Sequence, residues 1–567
     1  MRSNLGEDAV RLFKTIAGLR SYLNLRRLES GVGAAAGLSE GRSLGLVPTM
    51  GALHDGHLSL MHRARQENAL VVVSIFVNPL QFGPQEDFHQ YPKTLEQDRR
   101  LCEAAGVDAI FAPAIEELYG RRNESRQDIL TQVMPPRSMM AVLCGPHRPG
   151  HFEGVATVVS KLLNIVQPDR AYFGQKDAQQ LAILRRMVAD LNLPVDLVAC
   201  PTVREASGLA LSSRNQYLSP TERSQAASLY RSLHRAEQAF RQGIRNSQEL
   251  IAIVKEELST VSAVRPQYVE LVHPETMVPL AEVEERGLVA IAAHLGNTRL
   301  IDNVVLNARK PIIAIDGPAG AGKSTVARRV AAELGLLYLD TGAMYRAVTW
   351  LVQQSGMDLS DEAAIAELVS QSEIELVQEV ESDELESDAR AERYPNTPTP
   401  RHSSTPSPLT VLINGQDVTR AIRTPEVTAQ VSAIAAQAEV RKALVQQQHE
   451  YGRRGGVVMD GRDIGTQVFP DAELKIFLTA SVRERARRRQ LDLKEQGQAA
   501  IALEILEKSI FERDQKDSSR TISPLRKAAD AIELVTDGLT IEAVVDRIIS
   551  LYRERLSTAP LPLSNSL

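Results

Sequence analysis

Cysteine and aromatic residues are scarce in this chain. Three cysteines, Cys102, Cys144 and Cys200, are spread over 567 residues. Their number is odd, they are far apart, and no CxxC pair exists. A disulfide framework and a cysteine-type zinc site are thereby disfavoured, and a reducing, cytoplasmic compartment is expected. Aromatics make up 4% of the residues, with one Trp, which argues against a base-stacking surface. Neither sign of charge dominates. Lys and Arg number 65 against 71 Asp and Glu, a net −6, so no global basic footprint for nucleic acid exists. No apolar run approaches the roughly 18–20 residues of a membrane span. The opening MRSNLGEDAVRLFK carries acids and lacks an apolar stretch, unlike a signal peptide. Neither nucleic acid nor membrane is expected as a partner.

What is present is an ordinary globular composition, 43% hydrophobic and 24% charged. At roughly 100–200 residues per domain, the length suggests three or four folding units. Leu5, Ala9, Leu12, Ile16, Leu19 and Leu23 step by four and three, which predicts a helix with one apolar face. The small-residue stretch from Gly31 to Gly37 reads as a loop. LGLVPTM (44–50), ALVVVSIFVNP (69–79) and DAIFAP (108–113) are continuous apolar runs between helical patterns. They predict strands buried on both faces of a parallel, doubly wound α/β sheet. Near residues 305–310 the pattern restarts, and PIIAIDG (311–317) opens a second α/β unit. The stretch from Glu373 to Glu392 carries nine acidic residues and one Arg, and YPNTPTPRHSSTPSP follows at 394–408. Such a composition cannot bury a core, so residues 379–408 are expected to be a mobile surface insertion. Residues 558–567 read as a tail.

In VPTMGALHDGHLSL (47–60) a buried strand runs into a turn, and a helix is expected near His57. Such turns present backbone N–H groups and a helix N-terminus to phosphate. His54 and His57 add donors for developing charge. An H-x-G-H arises by chance roughly 0.01 times in a chain of this composition. Zinc is the competing reading of two histidines three apart, but no cysteine cluster and no H-E-x-x-H accompany them.

Six blocks in order carry a resemblance: VPTMGALHDGH, SIFVNPLQF (74–82), YPKTLEQD (91–98), RPGHFEGVATVVSKL (148–162), FGQKDAQQL (173–181) and LALSSRNQYLS (209–219). Together they resemble the pantothenate synthetases, or pantoate–β-alanine ligases. That implies a Rossmann-like HIGH-type nucleotidylyltransferase domain with a smaller C-terminal subdomain over residues 1–305. It also implies a two-step reaction, in which pantoate and ATP give pantoyl adenylate and pyrophosphate, and β-alanine then displaces AMP. On this resemblance Met50, Gly51, Ala52, Leu53, His54, Asp55, Gly56 and His57 form the ATP loop, with His57 in an acid role. Gly174, Gln175, Lys176 and Asp177 form the second ATP segment. Leu211, Ser212, Ser213 and Arg214 are a phosphate-closing strip comparable to KMSKS, and Val203 lies beside adenine. Gln81 and Gln180 hold pantoate, Asn78 and Arg148 are weaker candidates, and Asp98 is a candidate Mg²⁺ ligand. The family implies a homodimer through this half. About 43 residues precede the first matching strand, which departs from the family's usual start.

The second unit opens with a phosphate loop. Gly317, Pro318, Ala319, Gly320, Ala321, Gly322, Lys323, Ser324 and Thr325 fit G-x-x-x-x-G-K-[ST] between an apolar strand and a helical pattern. Backbone N–H groups wrap the phosphates, Lys323 reaches the β/γ oxygens, and Ser324 can ligate Mg²⁺. LDTGAMYRAV (339–348), VVMDGRDIGTQVFPDAELKIFLTAS (457–481), ERARRRQ (484–490) and FERDQKDSSR (511–520) follow. These blocks resemble the bacterial cytidylate kinases, P-loop nucleoside monophosphate kinases, over residues 310–557. Thr341, Tyr345, Arg346, Ser432, Arg441, Arg462, Asp463, Asp517 and Arg520 then fall at CMP-binding positions, and Arg513 and Lys516 in a lid over ATP. The acidic insertion departs from that family. The chain is thus expected to be a bifunctional enzyme using ATP with Mg²⁺ on pantoate, β-alanine and CMP or dCMP. The alternatives are another HIGH nucleotidylyltransferase joined to another monophosphate kinase, or a non-enzymatic nucleotide sensor, which the intact His54, His57, Lys176 and Lys323 disfavour.

Overall fold

The computed structural model describes residues 10–29, 43–83, 86, 88, 90–120, 130–378, 409–453, 455–495, 501–520 and 523–557. The chain divides into two compact units, Met1–Ala308 and Arg309–Leu567.

In the first unit, six strands form one sheet. They are β1 (Arg11–Phe13), β2 (Leu44–Thr49), β3 (Leu70–Ile75), β4 (Ala109–Phe111), β5 (Arg170–Gly174) and β6 (Asp196–Cys200). Their order is β1-β4-β3-β2-β5-β6, parallel throughout. Successive residues explain why the runs are apolar without alternation. Leu44, Leu46, Leu70 and Val72 pack on one face with the helix His151–Val166. Val47, Val71, Val73 and Ile110 pack on the other with Leu60, Met61 and Ala64 of the helix Asp55–Glu67. Strand order reverses at β2, whose two neighbours are β3 and β5, and a ligand crevice is expected beyond the carboxyl ends there. A smaller subdomain follows. It contains two helices, Pro220–Arg241 and Ser247–Ser259, and an antiparallel sheet of β7 (Val264–Val272), β8 (Arg286–Leu295) and β9 (Thr298–Asn307) with its own core.

The expected amphipathic helix at the start needs correction. Arg11–Phe13 is a short edge strand paired with β4, and the helix runs over Ile16–Glu29. Leu19 and Leu23 are buried on it, whereas Leu12 sits in the strand. At Leu12, pairing with a formed sheet edge outweighs the helical spacing. Leu5, Ala9 and the stretch from Gly31 to Gly37 lie outside the described residues.

The second unit contains β10 (Lys310–Asp316), β11 (Leu337–Asp340), β12 (Ile374–Gln378), β13 (Leu409–Ile413), β14 (Gln416–Asp417), β15 (Gly455–Gly461), β16 (Leu474–Thr479) and β17 (Ile532–Val535). A parallel sheet has the order β11-β15-β10-β16-β17, with β10 at its centre. β12, β13 and β14 make a small antiparallel sheet, in which Gln378 pairs with Leu409. The acidic tract 379–408 and the tail 558–567 lie outside the described residues. Among the described residues, no helix is long and apolar enough to cross a membrane.

Candidate functional sites

The first site is built where β2 ends. The backbone turns through two left-handed residues, Gly51 at φ +83° and Ala52 at φ +51°. The second is costly for a residue with a Cβ, by about 1 kcal/mol, and persists because Asp98 holds the turn. One carboxylate oxygen accepts the Ala52 N–H at 3.1 Å, the other accepts the Leu53 N–H at 2.9 Å, and the Thr94 hydroxyl lies 3.2 Å from both. Asp98 is 1% exposed and does not line the cavity beside it. The Mg²⁺ role expected for Asp98 is therefore corrected. Its oxygens are committed to backbone N–H groups, and its task is to fix the loop.

His54 ends the loop and caps the helix Asp55–Glu67, two residues earlier than the expected helix start. Its Nδ1 accepts the Gly56 N–H at 3.1 Å, and His57 Nδ1 accepts the His54 N–H at 3.4 Å. In each ring the remaining Nε2 then carries the hydrogen. The ring centroids are 4.1 Å apart. Burial and the Lys176 charge lower His54 to a pKa of about 4, against an opposing pull from Asp55. Burial, His54 and Lys176 lower His57 to about 3. Both rings are thus held neutral near pH 7 in the unliganded site, and Nε2–H is the donor each offers.

A cavity of about 250 Å³ opens over this loop. Its wall gathers Met50, His54, Gly56 and His57 from the loop, Gly174, Lys176 and Asp177 after β5, and Val203, Leu211, Ser212, Ser213 and Arg214 after β6. Gln81 and Gln180 face it as well. Gly51, Ala52, Leu53, Asp55 and Gln175 do not line it and serve as framework. The neighbouring glutamines divide their work. Gln179 is buried and bonds the Cys144 N–H and the Met139 and Val142 carbonyls, each at 2.9 Å, whereas Gln180 meets the cavity. A Cβ on Gly154 would stand 2.3 Å from the Leu80 carbonyl oxygen, so glycine there lets the helix His151–Val166 press against the turn carrying Gln81.

Tyr91 and His151 also line the cavity, and the sequence reading assigned neither. Arg148 donates to His151 Nε2 at 2.9 Å, which leaves His151 Nδ1–H to donate to the Gln81 carbonyl at 2.8 Å. Burial first, then Arg148, lowers His151 to about 4. Arg148 grips Glu86 through two bonds of 2.7 Å. Asn78, expected in the site, instead donates to the Gln81 side-chain oxygen at 3.1 Å and so orients that amide. Both missed residues stood in blocks already quoted, YPKTLEQD and RPGHFEGV. Nothing in one histidine at a helix start marks it as part of a network.

The second site forms at the carboxyl end of β10. Gly317 has φ +151°, and a Cβ there would lie 1.9 Å from the Leu478 carbonyl oxygen, so only glycine fits. Gly317 through Gly322 leads into the helix Lys323–Leu334, on which Ser324 and Thr325 follow. Lys323 is buried and donates to the Pro318 carbonyl at 2.8 Å. Burial and the Arg462 charge press its pKa down. Ser324 Oγ bonds Asp460 at 2.7 Å, and the Tyr338 hydroxyl bonds the other Asp460 oxygen at 3.0 Å. Asp460, inside the quoted block MDGRD, is a further residue the sequence reading left unassigned, because an acid within a buried strand is usually structural.

Around it the expected CMP residues meet in pairs. Arg462 donates to Asp517 at 2.5 Å, and Arg520 approaches the other Asp517 oxygen at 2.6 Å. Arg441 bonds Asp463 and stands 5.3 Å over the Tyr345 ring. Arg346 bonds Asp340 at 3.0 Å. Thr341 turns its hydroxyl to the Asp460 carbonyl at 2.7 Å and is buried. Ser432 is exposed on the helix Pro425–Ile434. Arg513 and Lys516 are exposed on the helix Leu503–Ser518. Of the arginines in ERARRRQ, Arg485 ties the Ala319 carbonyl to Asp514, and Arg488 ties Thr536.

Comparison with known proteins finds a match for each unit. A family model described as pantoate-beta-alanine ligase matches residues 11–305, and one described as cytidylate kinase matches residues 313–554. A bifunctional pantoate ligase/cytidylate kinase of Trichormus variabilis is 60% identical over 97% of this chain and 100% of its own. One of Synechococcus elongatus is 58% identical over 90% and 92%. A solved pantothenate synthetase of Thermus thermophilus is 47% identical over 52% of this chain and 99% of its own, at a TM-score of 0.46. With both family models matched in order and relatives of this identity along nearly the whole length, the chain belongs to the bifunctional pantoate ligase/cytidylate kinase family.

Proposed function

We propose that the first unit condenses pantoate with β-alanine through a pantoyl adenylate, and that the second transfers phosphate from ATP to CMP or dCMP. The observation that carries the first half is that His54, His57 and Lys176 line one cavity together with Gln81 and Gln180. In the first step a pantoate carboxylate oxygen bonds to the α-phosphorus of ATP, and pyrophosphate leaves with the broken P–O bond. Negative charge grows on phosphate oxygens, and in this reading the two Nε2–H groups and the Lys176 ammonium meet it. Uncharged amides at Gln81 and Gln180 suit pantoate's hydroxyls without adding charge beside the reacting carboxylate. In the second step the β-alanine amine bonds to the acyl carbon and AMP leaves. The strip Leu211–Arg214 closes the phosphate side, and Val203 supports adenine.

In the second unit, the CMP phosphate oxygen bonds to the γ-phosphorus of ATP and ADP leaves. Lys323 and the guanidinium groups of Arg346, Arg441, Arg462 and Arg520 neutralise charge spread over the transferring group. Asp463 and Asp517 serve as acceptors for cytosine and ribose, with Thr341, Tyr345 and Ser432 around them. Mg²⁺ accompanies ATP in this reading, and the pairing of the Ser324 hydroxyl with the buried Asp460 carboxylate fits a hard oxygen-seeking cation. Ser324 and Asp460 would hold such an ion, which would supply charge neutralisation for the transferring phosphoryl group. The chain acts in the cytoplasm, in keeping with three unpaired, buried cysteines, and the family resemblance supports a homodimer through the first unit.

The test is a substrate panel on the full chain. AMP release should require pantoate and β-alanine together, and CDP formation should require CMP, with AMP a poor acceptor. AMP release without pantoate, or equal phosphorylation of AMP and CMP, contradicts the reading. Another nucleotidylyltransferase joined to another monophosphate kinase is not favoured, because both family models match.

A further inference from the structure

Strand β9 carries two adjacent polar residues that line neither site. Asp302 is 3% exposed, and Asn303 beside it is half-buried. The Asn303 side-chain amide donates to two successive carbonyls, Gln175 at 3.1 Å and Lys176 at 2.9 Å. The Asp302 carboxylate accepts two bonds from the Arg204 guanidinium, at 2.6 and 2.9 Å, and the same carboxylate accepts the Asn303 backbone N–H at 2.8 Å. Arg204 is fixed in turn. It donates to the Gly208 carbonyl at 3.0 Å, lies 4.6 Å over the Tyr230 ring, and its backbone bridges to Ala210. Leu211 N–H bonds the Val203 carbonyl at 3.0 Å, closing that hairpin.

We propose that Asp302 and Asn303 form a positioning clasp through which the smaller subdomain sets two phosphate-facing segments of the ligase site. Asn303 fixes the turn that aims Lys176, and Asp302, through Arg204, fixes the base of the strip Leu211–Arg214. The inference rests on the reading of Lys176 as a phosphate-binding residue. Lysine presents a point charge on a flexible stem, so its reach depends on where its backbone is held. An amide shared by two successive carbonyls sets that orientation directly. A displacement near 1 Å at a reacting group can cost about 10²-fold in rate.

The experiment is a double-mutant cycle in the full chain, read by pantoate-dependent exchange of pyrophosphate into ATP. Asn303→Ala should lower kcat about 10- to 100-fold and leave KM for pantoate within about 2-fold, with CDP formation unchanged. On a Lys176→Ala background the same change should cost under about 2-fold, because residues acting as one unit are not additive. Asp302→Asn should raise KM for ATP about 10-fold and leave that for pantoate alone. Equal losses from Asn303→Ala on both backgrounds would assign the pair to stability only and overturn the clasp. Unchanged kinetics in the single variants would overturn it too. Should Asn303→Ala unfold the first unit, Asn303→Asp keeps the shape and removes the shared donor, and the same cycle decides. Lys176→Ala at wild-type exchange would instead defeat the underlying reading of Lys176, and the clasp with it.

Discussion

The rings of His54 and His57 lie 4.1 Å apart, and each turns Nδ1 to a backbone N–H and leaves Nε2 to donate. A neutral donor and a protonated acid make different demands on a replacement. His57→Ala should lower adenylate formation by about 10²–10³. His57→Gln returns a neutral N–H near the Nε2 position and should recover part of that loss. Pyrophosphate release from saturating pantoate and ATP is the measurement. Equal activity of the two variants would remove the donor role.

Three histidines of the first unit, His54, His57 and His151, have pKa values lowered to about 4, 3 and 4. Unfolded, each would titrate near 6.5. Below that pH the unfolded chain binds protons that the folded chain refuses, so the folded state loses stability as pH falls from 6.5 towards 4. The slope is at most about 1.4 kcal/mol per pH unit for each ring. Ring NMR signals of these three should stay unshifted between pH 7.5 and 5.5. A midpoint near 6.5 in any of them contradicts its burial.

The adjacent glutamines of FGQKDAQQL should separate cleanly. Gln180→Ala should raise KM for pantoate and leave the melting temperature near wild type. Gln179→Ala leaves a buried N–H and two carbonyls without their partner and should cost about 1–3 kcal/mol of stability, with KM little changed. Calorimetry and pantoate titration on both variants check this, and reversed phenotypes would exchange the assignments.

Gln378 and Leu409 are direct cross-strand partners although thirty residues separate them in sequence. Replacing residues 379–408 by Asn-Gly, a pair suited to a two-residue hairpin, should therefore keep CMP phosphorylation and leave the melting temperature of the second unit close to wild type. A large fall in either would make the tract part of the working fold.

Much of this architecture was legible because buried parallel strands are written as unbroken apolar runs. β2, β3, β4 and β10 all coincide with apolar runs recognised in the sequence, and β15 and β16 overlap the quoted block 457–481. β1 was not legible, because three residues carry no period of their own and their pairing partner lies about a hundred residues away. The loop residues His54 and His57 and the phosphate loop were visible through spacing. Asp98, His151, Asp460, Asp302 and Asn303 were not, or not in their role. Each works through a bond to a backbone group or side chain distant in sequence, and no local pattern encodes that. Asn303, for example, carries no local signal in the sequence, and only β9 sets it against the Lys176 carbonyl.

Two units that each work through their own site should lose their activities separately. The most direct test is to measure both activities on Lys323→Ala and His57→Ala in the full chain. Lys323→Ala should abolish CDP formation and leave pantothenate synthesis at the wild-type rate, and His57→Ala should do the reverse. If either substitution disables the opposite reaction in a folded protein, the two sites are not independent and the account fails.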